Sequence, residues 1–337
     1  MIIILKKNST KKDAEVILQE IENAGLKPLF LPGVEKVVIG AIGDERLLES
    51  KNFDSFPQVQ EVKRILTPYK LVSREFKETN SIVKIGDVPF GGQEIIIIAG
   101  PCAVESLEQM DQSASVCKQA KAKVLRGGAF KPRTSPYSFQ GLEQKGLNII
   151  KQISSKYSMP TVTEVVEISD LDAIEESVDA FQIGARNMQN FSLLKEVGQR
   201  KKPVILKRGF AAKIEDLLLA AEYILAHGNE NVILCERGIR TFETAYRNTL
   251  DLNAVALLKA RTHLPVIVDP SHATGVRDLV PHMSYAAIAA GADGIMVDVH
   301  PDPTKALCDG MQSLYPEQFV AMMDTLIKVA HAIGRSI

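Results

Sequence analysis

Two sets of side chains in this sequence could do chemistry. The first is cationic: Arg126, Lys131, Arg133, Arg186, Lys207 and Arg237. Arginine forks match phosphate and carboxylate geometry, and lysine adds a point charge. Six such groups exceed what one carboxylate ligand needs, so they point to phosphorylated ligands and to more than one bound anion. The second set is Cys102, His272, Asp298 and Asp309. Thiolate, imidazole and carboxylates together suit a divalent transition metal, and manganese, iron, cobalt or zinc would all fit. Their spacing is nothing like a zinc finger. Taken singly, Cys102 also reads as a small buried hydrophobe and His272 as a hydrogen-bonded core imidazole. His227, His263, His282 and His331 fall on helices or loops and receive no role.

The densest cationic stretch is LRGGAFKPRTSPYSFQG, residues 125–141. Dense cations usually mark solvated surface. Here Gly127 and Gly128 permit close backbone approach, while Pro132 and Pro136 fix the path. A stiff loop carrying three charges suits an anion.

Positioning these groups takes a repeating scaffold. From residue 93 onward, apolar strand candidates alternate with amphipathic helices: EIIIIAG, KVLRGG, PTVTE, DAFQIGA, PVILKRG, NVILCERG, PVIVDPSH and GIMVDVH. Eight repeats predict a closed (β/α)8 TIM barrel of parallel strands; an open doubly wound sheet is the alternative, and no GxGxxG follows a strand to support it. In such barrels the active site lies at the carboxyl ends of the strands. Every predicted strand end carries an ionisable group: Cys102, Arg126 with Lys131 and Arg133, Glu164, Arg186, Lys207 with Arg208, Glu236 with Arg237, Asp269 with His272, and Asp298 with His300. Any one of these could be a buried structural ion pair. A whole ring of them without ligands would suffer repulsion and desolvation.

Residues 1–66 predict a separate α+β module. IIIL reads as a strand, Thr10 and Asp13 suit a helix start, and Ala14, Ile17, Leu18, Ile21 and Ala24 recur at helical spacing before Gly25. KPLFL and KVVIGAIG predict strands around a Pro-Gly turn, ERLLES a short helix, and VQEVKRIL a final strand. That βαββαβ order is ferredoxin-like, of the kind that often serves regulation or oligomerisation. Residues 67–92 predict a polar linker, TPYKLVSREFKETN, and a hairpin, SIVKIGDVPFGG; the barrel then occupies residues 93–337.

With 337 residues the chain can bury a barrel and a small companion domain. Its net charge of −1 provides no global basic field for nucleic acid. No apolar run approaches the ~18 residues of a membrane span, and MIIILKKNST lacks the features of a secretory leader. A cytoplasmic location is expected. Cys102, Cys117, Cys235 and Cys308 form no CxxC pair and read as reduced thiols.

The motifs AGPCAVES, LRGGAFKPRTSPYSFQGL, TVTE, QIGARNMQN, ILKRGF, ILCERGIRTFE, VDPSHATG and DVHPDPTKALCDGMQSL resemble, in order, those of 3-deoxy-D-arabino-heptulosonate 7-phosphate (DAHP) synthases. The type resembled is the short one with an N-terminal ferredoxin-like domain. Similarity runs along nearly the whole chain, and KPRTSPYSFQG is its most specific part. The resemblance implies metal-dependent condensation of phosphoenolpyruvate with erythrose 4-phosphate, the first step of the shikimate pathway, without an organic cofactor. It implies that Arg126, Lys131, Ala185, Arg186, Lys207 and Arg237 bind phosphoenolpyruvate and that Arg133, Thr134 and Asp269 bind erythrose 4-phosphate. Cys102, His272 and Asp309 match the family's metal ligands, and Asp298 stands at the position of the fourth. Lys131 is the candidate proton donor and Glu164 the candidate for orienting water. A homotetramer and an aromatic amino acid effector at the N-terminal domain are further expectations of the resemblance. Two alternatives stand beside this: a 3-deoxy-octulosonate 8-phosphate synthase-like sibling, against which the KPRTS loop speaks, and a catalytically silent sensor barrel, against which the cation ring speaks.

One position departs from the family pattern, which has glutamate where this sequence has Asp298. One methylene less retracts the carboxylate by on the order of 1.5 Å, whereas ligand distances tolerate about 0.2 Å. Weaker metal affinity than in Asp298→Glu is expected. Cys308, beside Asp309, reads as an inert loop cysteine or as a disulfide partner for Cys102 in metal-free protein.

Overall fold

The chain divides between Glu78 and Thr79 into two units, Met1–Glu78 and Thr79–Ile337. This computed structural model describes residues 1–7, 9–32, 37–48, 50–63 and 68–337. In the first unit, β1 (Ile2–Leu5), β2 (Lys27–Pro32), β3 (Val37–Ile42) and β4 (Val59–Lys63) form an antiparallel sheet in the order β2-β3-β1-β4. Helix α1 (Lys11–Asn23) starts at Thr10 in a capping box: Asp13 N donates to Thr10 Oγ1 (3.4 Å), and Thr10 N donates to Asp13 Oδ2 (2.7 Å). Ala14, Ile17 and Ile21 bury against Ile3, Leu5, Ile39 and Phe53. On the other face, Ile2 and Ile4 are covered by Val38 and Phe76. Burial on both faces explains why β1 is an unbroken apolar run rather than an alternating one.

This is the expected ferredoxin-like arrangement, with one difference. The predicted helix ERLLES is a 3-10 turn, Glu45–Leu48, followed by a second, Phe53–Ser55. Four residues close about one turn, too few to offset helix nucleation, and buried Leu48 and Phe53 anchor the crossover instead. The predicted Pro-Gly turn runs into residues 33–36, and the predicted end of the last strand into 64–66; both lie outside the described residues. Within the stretch predicted as a polar linker, Tyr69, Leu71 and Val72 are buried.

In the second unit all eight predicted strands form: β7 (Ile96–Gly100), β8 (Val124–Arg126), β9 (Thr161–Val165), β10 (Ala180–Ile183), β11 (Val204–Lys207), β12 (Val232–Glu236), β13 (Val266–Val268) and β14 (Gly294–Asp298). They are parallel and close into a barrel. The seam is β14 on β7, in register from Gly294↔Ile96 to Asp298↔Gly100. Closure excludes the doubly wound alternative. Ile96, Ile98, Val124, Val162, Ala180, Ile205, Ile233, Ile267 and Met296 fill the interior. The hairpin β5 (Val83–Ile85) and β6 (Val88–Phe90) adds Val83, Ile85 and Phe90 to the same cluster. With the inside filled by apolar layers, charged groups are left to the carboxyl ends of the strands. Among the described residues, no helix is long and apolar enough to cross a membrane.

Candidate active site

At the carboxyl ends of the strands lies a cavity of about 290 Å³. Lys131, Arg133, Arg186, Lys207 and Arg237 line it, as do Thr134, Glu164, Ala185, His272 and Asp309. The cations thus converge on one space from β8, β10, β11 and β12. Three predicted residues lie beneath this lining. Arg126 ends β8 and pairs with Asp298 at the end of β14, both almost fully buried. Asp269, fully buried, caps α8 (Pro270–Thr274): its Oδ1 accepts His272 N (2.9 Å), while its Oδ2 meets Lys207 Nζ and lies 2.9 Å from His272 Nδ1. These three residues position the lining groups above them.

The loop after β8 is built for close approach. A methyl on Gly128 would sit 2.8 Å from Lys131 Cδ and 2.9 Å from the Cys102 carbonyl oxygen, so only glycine lets Lys131 fold back here. Thr163 on β9 fixes the glycines, donating to Gly127 O (2.7 Å) and accepting from Ala129 N (3.1 Å). Lys131 N donates to Gln140 O (2.9 Å), closing the KPRTSPYSFQ loop at its base. Lys131 Nζ then donates to Cys102 O (3.1 Å) and Cys102 Sγ (3.3 Å). Burial opposes its charge, but Cys102, Cys308 and Glu164 outweigh it and raise its pKa.

Arg186 and Arg237 share an unpredicted partner, Phe210. Their guanidinium carbons lie 5.4 and 4.7 Å from its ring centroid, and that of Arg240 lies 4.8 Å away. A ring face attracts cations without neutralising them. Arg237 donates to His272 O (2.9 Å), and among the described residues no carboxylate stands within ion-pair distance of it. Burial, helped by the nearby charge of Arg247, pulls its pKa down to about 10 against the pull of Asp269. Arg247, also unpredicted, lines the cavity and donates to Asp309 Oδ1 (3.3 Å) and Gln312 Oε1 (2.9 Å). It sits in a long loop, away from any strand end, so the strand-end rule could not find it. Phe210 lies inside the ILKRGF motif, where its aromatic face is the available signal.

Other ionisable strand ends are structural. Arg208 Nη1 pairs with Glu236 Oε2 (2.8 Å) and Asp251 Oδ2 (2.9 Å), tying β11 and β12 to the start of α7 (Leu252–Arg261). His300 accepts Asp302 N at Nδ1 (3.0 Å), which leaves Nε2 as the donor facing Glu105 Oε2 (3.4 Å).

Beside the cations stands the sulfur, nitrogen and oxygen cluster. Cys102 Sγ lies 3.7 Å from His272 Nε2 and 3.3 Å from Asp309 Oδ2; the last two atoms are 3.5 Å apart. Bonds of about 2.0 to 2.3 Å at tetrahedral angles place ligand atoms about 3.3 to 3.8 Å from one another. These three donors therefore fit a divalent metal. Burial works against a charged His272, yet Asp269 and Asp298 outweigh it and raise its pKa to about 10. The cluster's field thus draws in positive charge. Asp309 holds a left-handed backbone, φ 51°, which aspartate tolerates better than most residues. Burial opposes its ionisation, but His272 and Arg247 keep the carboxyl well below its usual range.

Asp298, Cys102 and His272 also bring ligand atoms within 4.8 Å of one another, and Asp298 has further partners. Its Oδ1 takes Arg126, its Oδ2 takes Gln312 Nε2 (2.7 Å), and it approaches His272 on the Nδ1 side, 3.6 Å away. Cys308 stands 3.5 Å from Cys102, sulfur to sulfur, and both are free thiols. Its pKa falls to about 7, chiefly through the hydrogen bond donated by Cys102, with Lys131 assisting against burial.

The sequence model of the DAHP synthetase I family matches residues 75–335. The chain belongs to that family. A second model, the DAHP synthase ferredoxin-like domain, matches residues 1–67. As a DAHP synthetase I family member the chain is an enzyme. It is 51% identical to phospho-2-dehydro-3-deoxyheptonate aldolase of Thermotoga maritima over 99% of both chains. The crystal structure of a Thermotoga maritima DAHP synthase superposes with a TM-score of 0.80 at 50% identity, covering 99% of this chain and 98% of that one. A 2-dehydro-3-deoxyphosphooctonate aldolase of Geobacter sulfurreducens is 31% identical over 72% of this chain and 96% of its own length.

Proposed function

We propose that this chain condenses phosphoenolpyruvate with erythrose 4-phosphate and water to give DAHP and inorganic phosphate, the entry step of the shikimate pathway. The observation that carries this reading is one cavity where Lys131, Arg133, Arg186, Lys207 and Arg237 face His272 and Asp309. Two phosphorylated substrates need that many cations, and a reacting carbonyl needs an electrophile beside them. The ferredoxin-like domain and the 51% identity to the Thermotoga enzyme favour the four-carbon sugar phosphate over its five-carbon counterpart.

Arg186 and Arg237, gathered on Phe210, hold the enol phosphate with Lys207 and the backbone at Ala185. Arg133 and Thr134 take the phosphate of the sugar. Holding both reactants turns a bimolecular encounter into a positioned one. The enol C3 forms a bond to the aldehyde carbon; the oxygen there gains a proton, for which Lys131 is the donor. Glu164, with Gln182 Nε2 3.3 Å from its Oε2, orients the water that adds to C2 before phosphate leaves. Arg126 and Asp269 act beneath, fixing Asp298, Lys207 and His272. A divalent metal of the manganese, iron, cobalt or zinc class, held by Cys102, His272 and Asp309 with Asp298 nearby, supplies Lewis acidity toward the aldehyde oxygen. An aromatic amino acid effector at the first unit and a homotetrameric assembly complete the reading.

Incubation with both substrates, with and without chelator, tests it. Loss of phosphoenolpyruvate and release of phosphate should require both substrates, stop with chelator and return with added metal. Lys131→Met should lower turnover at saturating substrates by about 10²- to 10⁴-fold. Equal turnover with arabinose 5-phosphate, or none with erythrose 4-phosphate, would overturn the assignment.

A further inference from the structure

We propose that Cys308 is a ligand of the metal in this chain and that Asp298 lies outside the coordination shell, so the ion is held by two thiolates, one imidazole and one carboxylate. The inference rests on the metal-dependent reading above and concerns which side chains grip the ion. Three observations carry it.

The first is that both carboxylate oxygens of Asp298 already hold a donor. Arg126 occupies one carboxylate oxygen and Gln312 the other, and Arg126 is itself buried with no other ion-pair partner among the described residues. Moving Asp298 toward a metal on the far side of His272 would pull it off that guanidinium, a costly change in a buried site. The second is direction. Asp298 also has an oxygen within 4.8 Å of Cys102 and His272 ligand atoms, but it meets the imidazole on the Nδ1 side, whereas Cys102 and Asp309 gather about Nε2. One imidazole nitrogen binds a metal while the other is oriented by an outer partner. Asp298 and Asp269 are placed as such outer partners.

The third is Cys308 itself. Its sulfur is buried, 3.5 Å from Cys102 Sγ, and the two sulfurs and an Asp309 oxygen all lie within 4.8 Å of one another. Two thiolates bound at about 2.3 Å to one tetrahedral ion stand about 3.8 Å apart, so a small outward shift of the sulfurs would admit the ion. Phe139 packs against the pair. Two thiolates and a carboxylate bring more negative charge than a divalent ion neutralises, and two cations are in place to offset it. Arg133 Nη1 lies 2.7 Å from Cys308 Sγ, and Lys131 Nζ lies 3.3 Å from Cys102 Sγ. A sulfur-rich set of this kind selects zinc and other thiophilic ions over manganese.

X-ray absorption on the full chain loaded with zinc or cobalt, thiols kept reduced, counts the sulfurs directly. Two sulfur neighbours at about 2.3 Å are expected, falling to one in Cys308→Ser. With cobalt, the thiolate charge-transfer absorbance should drop by about half in that variant. Cys308→Ser should weaken metal binding by about a hundredfold, and Asp298→Asn, which removes only an outer partner, by about tenfold. A single sulfur in the wild type, or weaker binding in Asp298→Asn than in Cys308→Ser, overturns the inference and leaves the proposed reaction standing. Failure of the wild type to take up any ion overturns both.

Discussion

Gly184 shows how a residue with no functional group can govern one that has. A methyl there would lie 1.9 Å from Glu164 Oε1, so the carboxylate would have to swing aside by about 1 Å. Displacements of that size cost about 10²-fold in rate. Gly184→Ala should therefore lose about that factor in kcat while keeping its thermal transition; unchanged turnover would remove Glu164 from the water-orienting role. At this scale much of the site was legible. Residue type and position at a strand end located Lys131, Glu164, Arg186, Lys207, Arg237 and His272, because parallel strands deliver their ends to one mouth. What strand-end position cannot say is whether a side chain turns into the mouth or under it. Arg126, Asp269 and Asp298 were equally conspicuous, and all three face buried partners instead.

Among the elements, β11, β12 and α7 are joined by the ion cluster of Arg208, Glu236 and Asp251. Burial raises the pKa of the Glu236 carboxyl despite Arg208, so the pair returns little net stability. Removing one partner is another matter, because Arg208 would keep its charge without its buried counterion. Glu236→Gln should destabilise the chain by about 3 kcal/mol in urea unfolding, with the metal-site spectrum unchanged. A loss below the error of the measurement would show that Asp251 suffices alone. All eight barrel strands were readable as apolar runs bounded by charges. The short helix expected after β3 is a 3-10 crossover anchored by Leu48 and Phe53, because one turn of helical spacing gives the same pattern.

For the whole molecule, every side chain lining the cavity belongs to the second unit. A chain starting at Thr79 should then keep turnover within about an order of magnitude of the full chain and lose inhibition by phenylalanine or tyrosine. Persisting inhibition would move the effector site off the first unit. The two-part organisation was visible as a change in periodicity near residue 93. The exact boundary was not, because Tyr69, Leu71, Val72 and Phe76 are apolar residues scattered through a polar stretch, and their burial depends on tertiary contacts. The β5–β6 hairpin has one further consequence. With Val83, Ile85 and Phe90 seated in the apolar cluster of the barrel, and Gly86 and Gly91 against Pro160 and Pro265 just ahead of β9 and β13, the hairpin covers the amino ends of the strands. In the proposed reaction, reactants and products would share the cavity at the carboxyl ends, so departing and arriving anions would compete for the same ring of arginines.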